Sequence, residues 1–211
     1  MGTLMTFELL HTVPEAPVAH LLLAHGAGAP MDSEFMDVMA RLLVERNIGV
    51  VRFEFPYMQQ RRHGGSKRPP DRQPVLLEAW RQVVEQCSHL DNVFIGGKSM
   101  GGRMASLIAD EMPVKGCVCL GYPFHPPAKP EKTRTEHLRA LAAPTLIVQG
   151  TRDALGKREE VEQYDLSRAI GLCWLEDGDH DFKPRVRSGL TQQQHLISAA
   201  DAVADFISGQ R

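Results

Sequence analysis

Short apolar runs that stop at glycine or a polar turn alternate along this chain with longer stretches in helical spacing. That alternation restricts the fold more than any single residue does. Val18 to Ala24 reads as a buried strand ending at a glycine-rich turn. Asp32 to Arg46 follows with Phe35, Met36, Met39, Leu42 and Leu43 at helical spacing, and Asp32 or Ser33 is placed to cap it. Gly49 to Phe55 is β-rich and stops at Pro56. Tyr57 to Arg72 is polar and basic with no apolar period and reads as a loop, after which Pro74 to Ser88 returns to helical spacing. Asp91 to Gly97 reads as a strand, Met100 to Met112 as a helix with Ala105, Leu107, Ile108 and Ala109 inward, and Val114 to Tyr122 as a strand. The prolines between Pro123 and Pro130 demand a loop. A strand at Thr145 to Gly150, a helix at Lys157 to Arg168, a short strand at Leu172 to Leu175 and a helix at Thr191 to Ser208 complete the pattern. Strands separated by helices require right-handed crossovers, so the expected fold is α/β: a doubly wound, mostly parallel sheet with helices on both faces. Residues 1–211 read as one domain of ordinary size. Ligands bind such sheets at the carboxyl ends of the strands, so the loops after strands are where chemistry is sought.

Composition excludes several function classes. A formal net charge of −2 offers no global field for nucleic acid or an acidic membrane, and an aromatic content of 6% argues against a base-stacking surface. No apolar run approaches the roughly 18 residues needed to span a bilayer. The N-terminal MGTLMTFELL lacks the basic region and apolar stretch of a signal peptide, so a cytoplasmic location is expected. Cys87, Cys117, Cys119 and Cys173 form no C-x-x-C pair and read as free, buried thiols, with Cys117 and Cys119 on one face of a strand. With no H-E-x-x-H and no cysteine ligand set, neither a metal nor an organic cofactor is expected.

Gly97-Lys98-Ser99-Met100-Gly101 matches G-x-S-x-G directly after the expected VFIGG strand and directly before a helix. A serine there sits on a tight strand-to-helix turn, and small residues two positions either side let the chain pass close by. Two competing glycine motifs fail at a required position. A phosphate-binding P-loop ending at Gly97-Lys98-Ser99 would need glycine at Asn92, and a dinucleotide fingerprint starting at Gly26-Ala27-Gly28 would need glycine at Met31.

A serine hydroxyl needs a neighbouring base to become a nucleophile, and histidine is the usual one. Of nine histidines, His180 in Asp177-Gly178-Asp179-His180-Asp181 follows the last expected strand and is the candidate base; His25 is assigned to the turn after the first strong strand. Asp153, after the Thr145 to Gly150 strand, is the candidate for the carboxylate that orients the imidazole. Asp177, Asp179 and Asp181 are expected to shape the His180 loop instead. The order Ser…Asp…His differs from both common serine-protease orders. An oxyanion would need two donors. The Met100 N–H at a helix start is one candidate, and Ala27 in the turn His25 to Pro30 is the other, with Gly26 as the fallback.

Together these residues resemble the α/β-hydrolase superfamily over nearly the whole chain. His25-Gly26 looks like its oxyanion turn, Ser99 its elbow nucleophile, Asp153 its acid and His180 its base. Gly97 to Arg103 and the Arg61-to-Pro70 loop more narrowly resemble the bacterial relatives of the testis-expressed protein 30 hydrolase-like group. The resemblance implies hydrolysis of a small ester or thioester through an acyl-enzyme. A peptidase or acyltransferase would share the triad, and a non-catalytic scaffold would keep the fold. Only Tyr122 to Leu141 lies where many superfamily members insert a cap, so no large cap domain and an open site are expected. Arg61, Arg62, Lys67, Arg68 and Arg72 crowd the loop after a strand, and Lys98 and Arg103 lie beside the elbow. Arg61, Arg62, Arg68 and Lys98 are candidate contacts for an anionic substrate; the alternative is a solvated loop.

Overall fold

The computed structural model describes residues 6–210; residues 1–5, part of the N-terminal stretch read above for a leader, lie outside the described residues. Among the described residues seven strands form one sheet. They are β1 (Leu9–Thr12), β2 (Ala19–Ala24), β3 (Ile48–Phe53), β4 (Val93–Lys98), β5 (Cys117–Leu120), β6 (Thr145–Gly150) and β7 (Ile170–Leu175). Their order is β1-β3-β2-β4-β5-β6-β7, and every pair is parallel except β1 with β3. The helices are α1 (Glu34–Val44), α2 (Pro56–Arg62), α3 (Gln73–Gln86), α4 (Met100–Ile108), α5 (Arg158–Val161) and α6 (Gln192–Gly209).

The period of two along each strand divides the core into two layers. Leu21 and Leu23 of β2 pack with Met36, Met39 and Leu43 of α1 and Ala199 and Val203 of α6. Leu22 of β2 faces the other way, with Trp80 and Val83 of α3 and Met104, Ala105 and Ile108 of α4. Both faces of the central strands are therefore covered, which is why they read as unbroken apolar runs. Cys117 and Cys119 lie side by side in the second layer with their sulfurs 4.0 Å apart, and Cys173 is the one thiol only half-buried. The chain leaves β2 to build β3 on one side, then crosses to build β4 on the other. The carboxyl ends of β2 and β4 therefore flank a topological switch point.

Three expectations are corrected and one strand is added. Pro56–Arg62 is a helix, not part of a loop: Pro56 is preset for a first helical turn and Tyr57 and Met58 are buried, but seven residues are too few to display a helical period. The helix expected at Lys157 to Arg168 is the single turn Arg158–Val161, because the Ser167 N–H and hydroxyl turn away to the carbonyls of Leu138 (2.9 Å) and Leu141 (2.6 Å). The strand β1 went unread; it is four residues long, half-buried and pairs along one edge only. Ser33 occupies the cap position of α1 but its side chain makes no capping bond, and Asp32 instead pairs with Arg62.

The crossing of β2, β4 and α4 is tight enough to test. A Cβ on Gly97 would lie 2.6 Å from the Ala24 carbonyl oxygen and 2.6 Å from the Gly101 carbonyl carbon, whereas one on Gly28 would meet nothing within 4 Å. Gly97→Ala is expected to destabilise the fold by about 1–3 kcal/mol, the usual range for overpacking. Gly28→Ala is expected to stay within about 0.5 kcal/mol. Urea midpoints of the two variants check the contrast.

Candidate active site

Ser99 links β4 to α4 with φ 50° and ψ −114°. A non-glycine residue at positive φ is held there only by its surroundings, at about 1–3 kcal/mol. The holding contacts are visible: the Ser99 N–H donates to the Leu120 carbonyl at 2.9 Å, and its own carbonyl accepts from the Arg103 N–H at 3.0 Å. The turn lifts the hydroxyl off the sheet toward the loop after β7.

That loop delivers His180. Its Nε2 lies 2.9 Å from Ser99 Oγ and its Nδ1 lies 2.7 Å from Asp153 Oδ2. The carboxylate can only accept, so Nδ1 carries the proton and Nε2 is left to accept from the serine hydroxyl. The three side chains expected from the sequence thus meet in one chain of hydrogen bonds, with Asp153 approaching the ring from the side opposite Ser99. Asp153 is fully buried, while 28% of the His180 side chain is exposed. Asp153 also accepts from Gln149 Nε2 (2.9 Å) and the Leu155 N–H (2.8 Å). Gln149, near the end of β6, was not singled out from the sequence. It is fully buried and ties Asp153 to the Tyr122 backbone, accepting from the Tyr122 N–H at 2.7 Å. Its signal was a lone amide inside the apolar run TLIVQG.

The three neighbouring aspartates do shape the loop. Asp177 accepts from the Arg185 side chain and, at 2.8 Å, from the Arg185 N–H; these contacts hold its carboxyl down to about 2. Asp179 accepts from the N–H groups of Asp181 and Lys183, both at 2.9 Å. Asp181 pairs with Lys98 at 3.2 Å.

Lys98 is tied to the His180 loop by this geometry. Its ammonium is buried, donates to the His180 carbonyl at 2.8 Å and lies 5.4 Å over the Phe35 ring. Burial pushes its pKa down, and Asp181 opposes the shift. It borders a cavity with Ser99, and two of its donors are engaged by the His180 carbonyl and by Asp181. The basic loop departs from its expected role. Arg62 is shared between Glu54 and Asp32, each at 2.8 Å, and Arg68 faces Asp71 at 3.2 Å. Neither they nor Arg61 border the cavities beside Ser99.

The turn after β2 is anchored by His25, as its assignment to the turn requires. Its Nε2 accepts from the Phe55 N–H at 3.1 Å and its Nδ1 donates to the Gly26 carbonyl at 2.6 Å, so burial favours the neutral ring and lowers its pKa. Tyr57, another residue not singled out, donates from its hydroxyl to the Ala27 carbonyl at 2.8 Å. In a planar trans peptide N–H and C=O point opposite ways. With the Gly26 carbonyl held against His25, the Ala27 N–H is turned away from that ring. Met100 opens α4, so its N–H has no intrahelical acceptor. Ala27 and Ser99 border two cavities of about 360 and 320 Å³; Met100 lines the first and His180 the second.

A second serine–histidine contact is of a different kind. His137 Nε2 lies 2.9 Å from Ser106 Oγ, but Ser106 is buried and gives its own proton to the Arg103 carbonyl at 2.8 Å. His137 is therefore the donor in this pair and no base for the hydroxyl. Among the described residues no cluster of three His, Cys, Asp or Glu side chains is arranged for a metal ion, and no helix is long and apolar enough to cross a membrane.

Two predictions follow from these contacts. Lys98→Met is expected to speed amide exchange over residues 179–183 by about tenfold or more, with little change at β4; unchanged exchange there would contradict the tethering role. Burial, then the charge of Arg103, pushes His137 down to about 4. The unfolded chain, with an ordinary value near 6.5, takes up its proton first as the pH falls. Stability present above pH 6.5 is thus lost progressively toward pH 4. Thermal melts should show that loss in the native protein and a shallower one in His137→Gln.

Residues 17–208 match the family model described as an alpha/beta hydrolase domain. Among solved structures, a serine hydrolase homologue from Coxiella burnetii aligns with TM-score 0.70 and 20% identity over 97% of this chain and 93% of that one. A dienelactone hydrolase from Anabaena variabilis aligns with TM-score 0.72 and 18% identity over 96% and 91%. A serine hydrolase without lid from Xanthomonas campestris gives TM-score 0.72 and 19% identity over 99% and 91%. At these identities the likeness is one of fold, with no large cap domain. The family match extends over most of the chain, and the chain therefore belongs to the alpha/beta hydrolase family.

Proposed function

We propose that this protein is a serine hydrolase that cleaves a small ester or thioester through an acyl-enzyme intermediate. The observation that carries the reading is the continuous hydrogen-bond chain Ser99–His180–Asp153, built on a strained turn at the carboxyl edge of the sheet. Ser99 Oγ attacks the substrate carbonyl as its proton passes to His180 Nε2. Asp153, already bonded to Nδ1, stabilises the imidazolium that forms. The negative oxygen of the tetrahedral intermediate is received by the N–H groups of Met100 and Ala27. His180 then returns the proton to the departing alcohol or thiol, and a water molecule repeats the sequence to release the acid. Each step uses the chain's own groups, with no cofactor.

The narrower kinship with relatives of the testis-expressed protein 30 group is part of this proposal and rests on Gly97 to Arg103 with the Arg61-to-Pro70 loop. A scaffold role has no use for a serine held at positive φ against a base. A peptidase or acyltransferase would use the same three residues. The two cavities flanking Ser99 are of small-molecule size, which favours a small ester or thioester.

A fluorophosphonate probe should label the native protein once, at Ser99. Ser99→Ala should abolish labelling and lower kcat on p-nitrophenyl acetate by about a thousandfold or more while remaining folded. Asp153→Asn should lower kcat by roughly two to four orders of magnitude, because the imidazole loses the acceptor that sets its tautomer. Native-like turnover by Ser99→Ala would overturn the reading.

A further inference from the structure

The cavity of about 360 Å³ beside Ser99 is bordered by two arginines, Arg103 and Arg134. Both also border an adjoining hollow of about 340 Å³ that includes His137. Other arginines near the site have carboxylate partners: Arg62 with Glu54 and Asp32, Arg68 with Asp71, Arg185 with Asp177. Arg103 and Arg134 have none among the described residues. The one side-chain bond of Arg103 is from Nη2 to the neutral amide of Gln73 at 3.2 Å, and its Nε is buried with no partner. The side chain of Arg134 makes no hydrogen bond or ion pair among the described residues; only its backbone is engaged, to Phe124 and Tyr122.

Two cations that share a hollow without a counter-charge repel each other, and an incoming anion relieves both. The repulsion is already felt at Arg134, whose pKa is lowered by burial first and by Arg103 second. The cavity does hold one acid, Asp71, but its Oδ2 accepts from the Tyr57 N–H at 2.9 Å and its Oδ1 faces Arg68. Glu136 borders the adjoining hollow, is exposed and forms no ion pair with either arginine.

We infer that Arg103 and Arg134 form an anion subsite beside Ser99, and that the substrate is an ester or thioester whose acyl chain ends in a carboxylate. The inference rests on Ser99 as nucleophile and deepens that reading by naming the substrate class. Arg103 lies one helical turn beyond Ser99, a rise of about 6 Å along α4, which is the scale of a succinyl- or glutaryl-length acyl group. The planar fork of a guanidinium matches a carboxylate bidentately. Asp71 on the same wall favours a monoanion over a dianionic phosphate. The basic 61–72 loop, which the sequence offered for this task, is replaced in it by two residues on α4 and on the loop after β5.

The test compares mono-p-nitrophenyl glutarate with p-nitrophenyl valerate, which has the same chain length and no charge. The native protein should favour the glutarate by at least about tenfold in kcat/KM. Arg103→Gln and Arg134→Gln should each lower that ratio by about tenfold, mainly through KM, and Arg134→Lys should restore part of it. Should Arg103→Gln fold poorly, Arg134→Gln and Arg134→Lys carry the comparison. A native ratio near one, or a ratio unmoved by the substitutions, would overturn the subsite. A second readout separates this from failure of the hydrolase reading: calorimetric titration of Ser99→Ala with glutarate. Binding that disappears on adding Arg134→Gln supports the subsite even if neither ester is turned over, and absence of binding overturns it.

Discussion

The closeness with which α4 begins over β2 and β4 is the constraint on which the rest of this structure depends. Gly97 and Gly101 pack backbone against backbone with Ala24 and His25, at distances a Cβ could not share. Ser99, between those two glycines, stands at positive φ. Here the same crowding brings the β2 turn, with Ala27, beside the helix start, with Met100. The strained turn at Ser99 and the groups arranged around it thus meet at one crossing of the chain.

Around that turn, polar groups are buried only where each has a partner, as a low-dielectric interior demands. Asp153 has three donors, Gln149 bridges two segments, and Lys98 spans Ser99's strand and His180's loop through one carbonyl and one carboxylate. His25 is held neutral by an N–H on one side and a carbonyl on the other. These bonds order the loops at the carboxyl edge, which would otherwise be the least constrained part of an α/β fold. Arg103 and Arg134 stand out because they do not follow the rule. Both line a cavity that opens on Ser99, and neither meets a carboxylate among the described residues.

Much of the fold and the centre of the site could be read along the chain, for reasons that are local. Buried parallel strands such as Ala19–Ala24 and Thr145–Gly150 announce themselves as apolar runs because both their faces are covered. Ser99 was legible because its turn needs glycines at fixed spacing, and His180 and Asp153 because each follows a strand. The strand β1 and the helix α2 were not, since four and seven residues carry too little period to register. The basic loop misled for a different reason. Charge density is visible in a sequence, but whether a charge already has a partner is not. Arg62 lies 30 residues from Asp32, and only folding brings them together.

The order of residues alone determined the alternating α/β architecture, the tight turn that carries Ser99 and the succession serine, aspartate, histidine, because each depends on spacing within a short segment. The tertiary structure decided which polar groups satisfy one another: Lys98 with the His180 loop, Gln149 with Asp153, Arg62 with its two acids, and Arg103 and Arg134 with no acid among the described residues. Electrostatic partnership depends on distance through space, and segments far apart in sequence acquire that distance only when the sheet and its helices have packed.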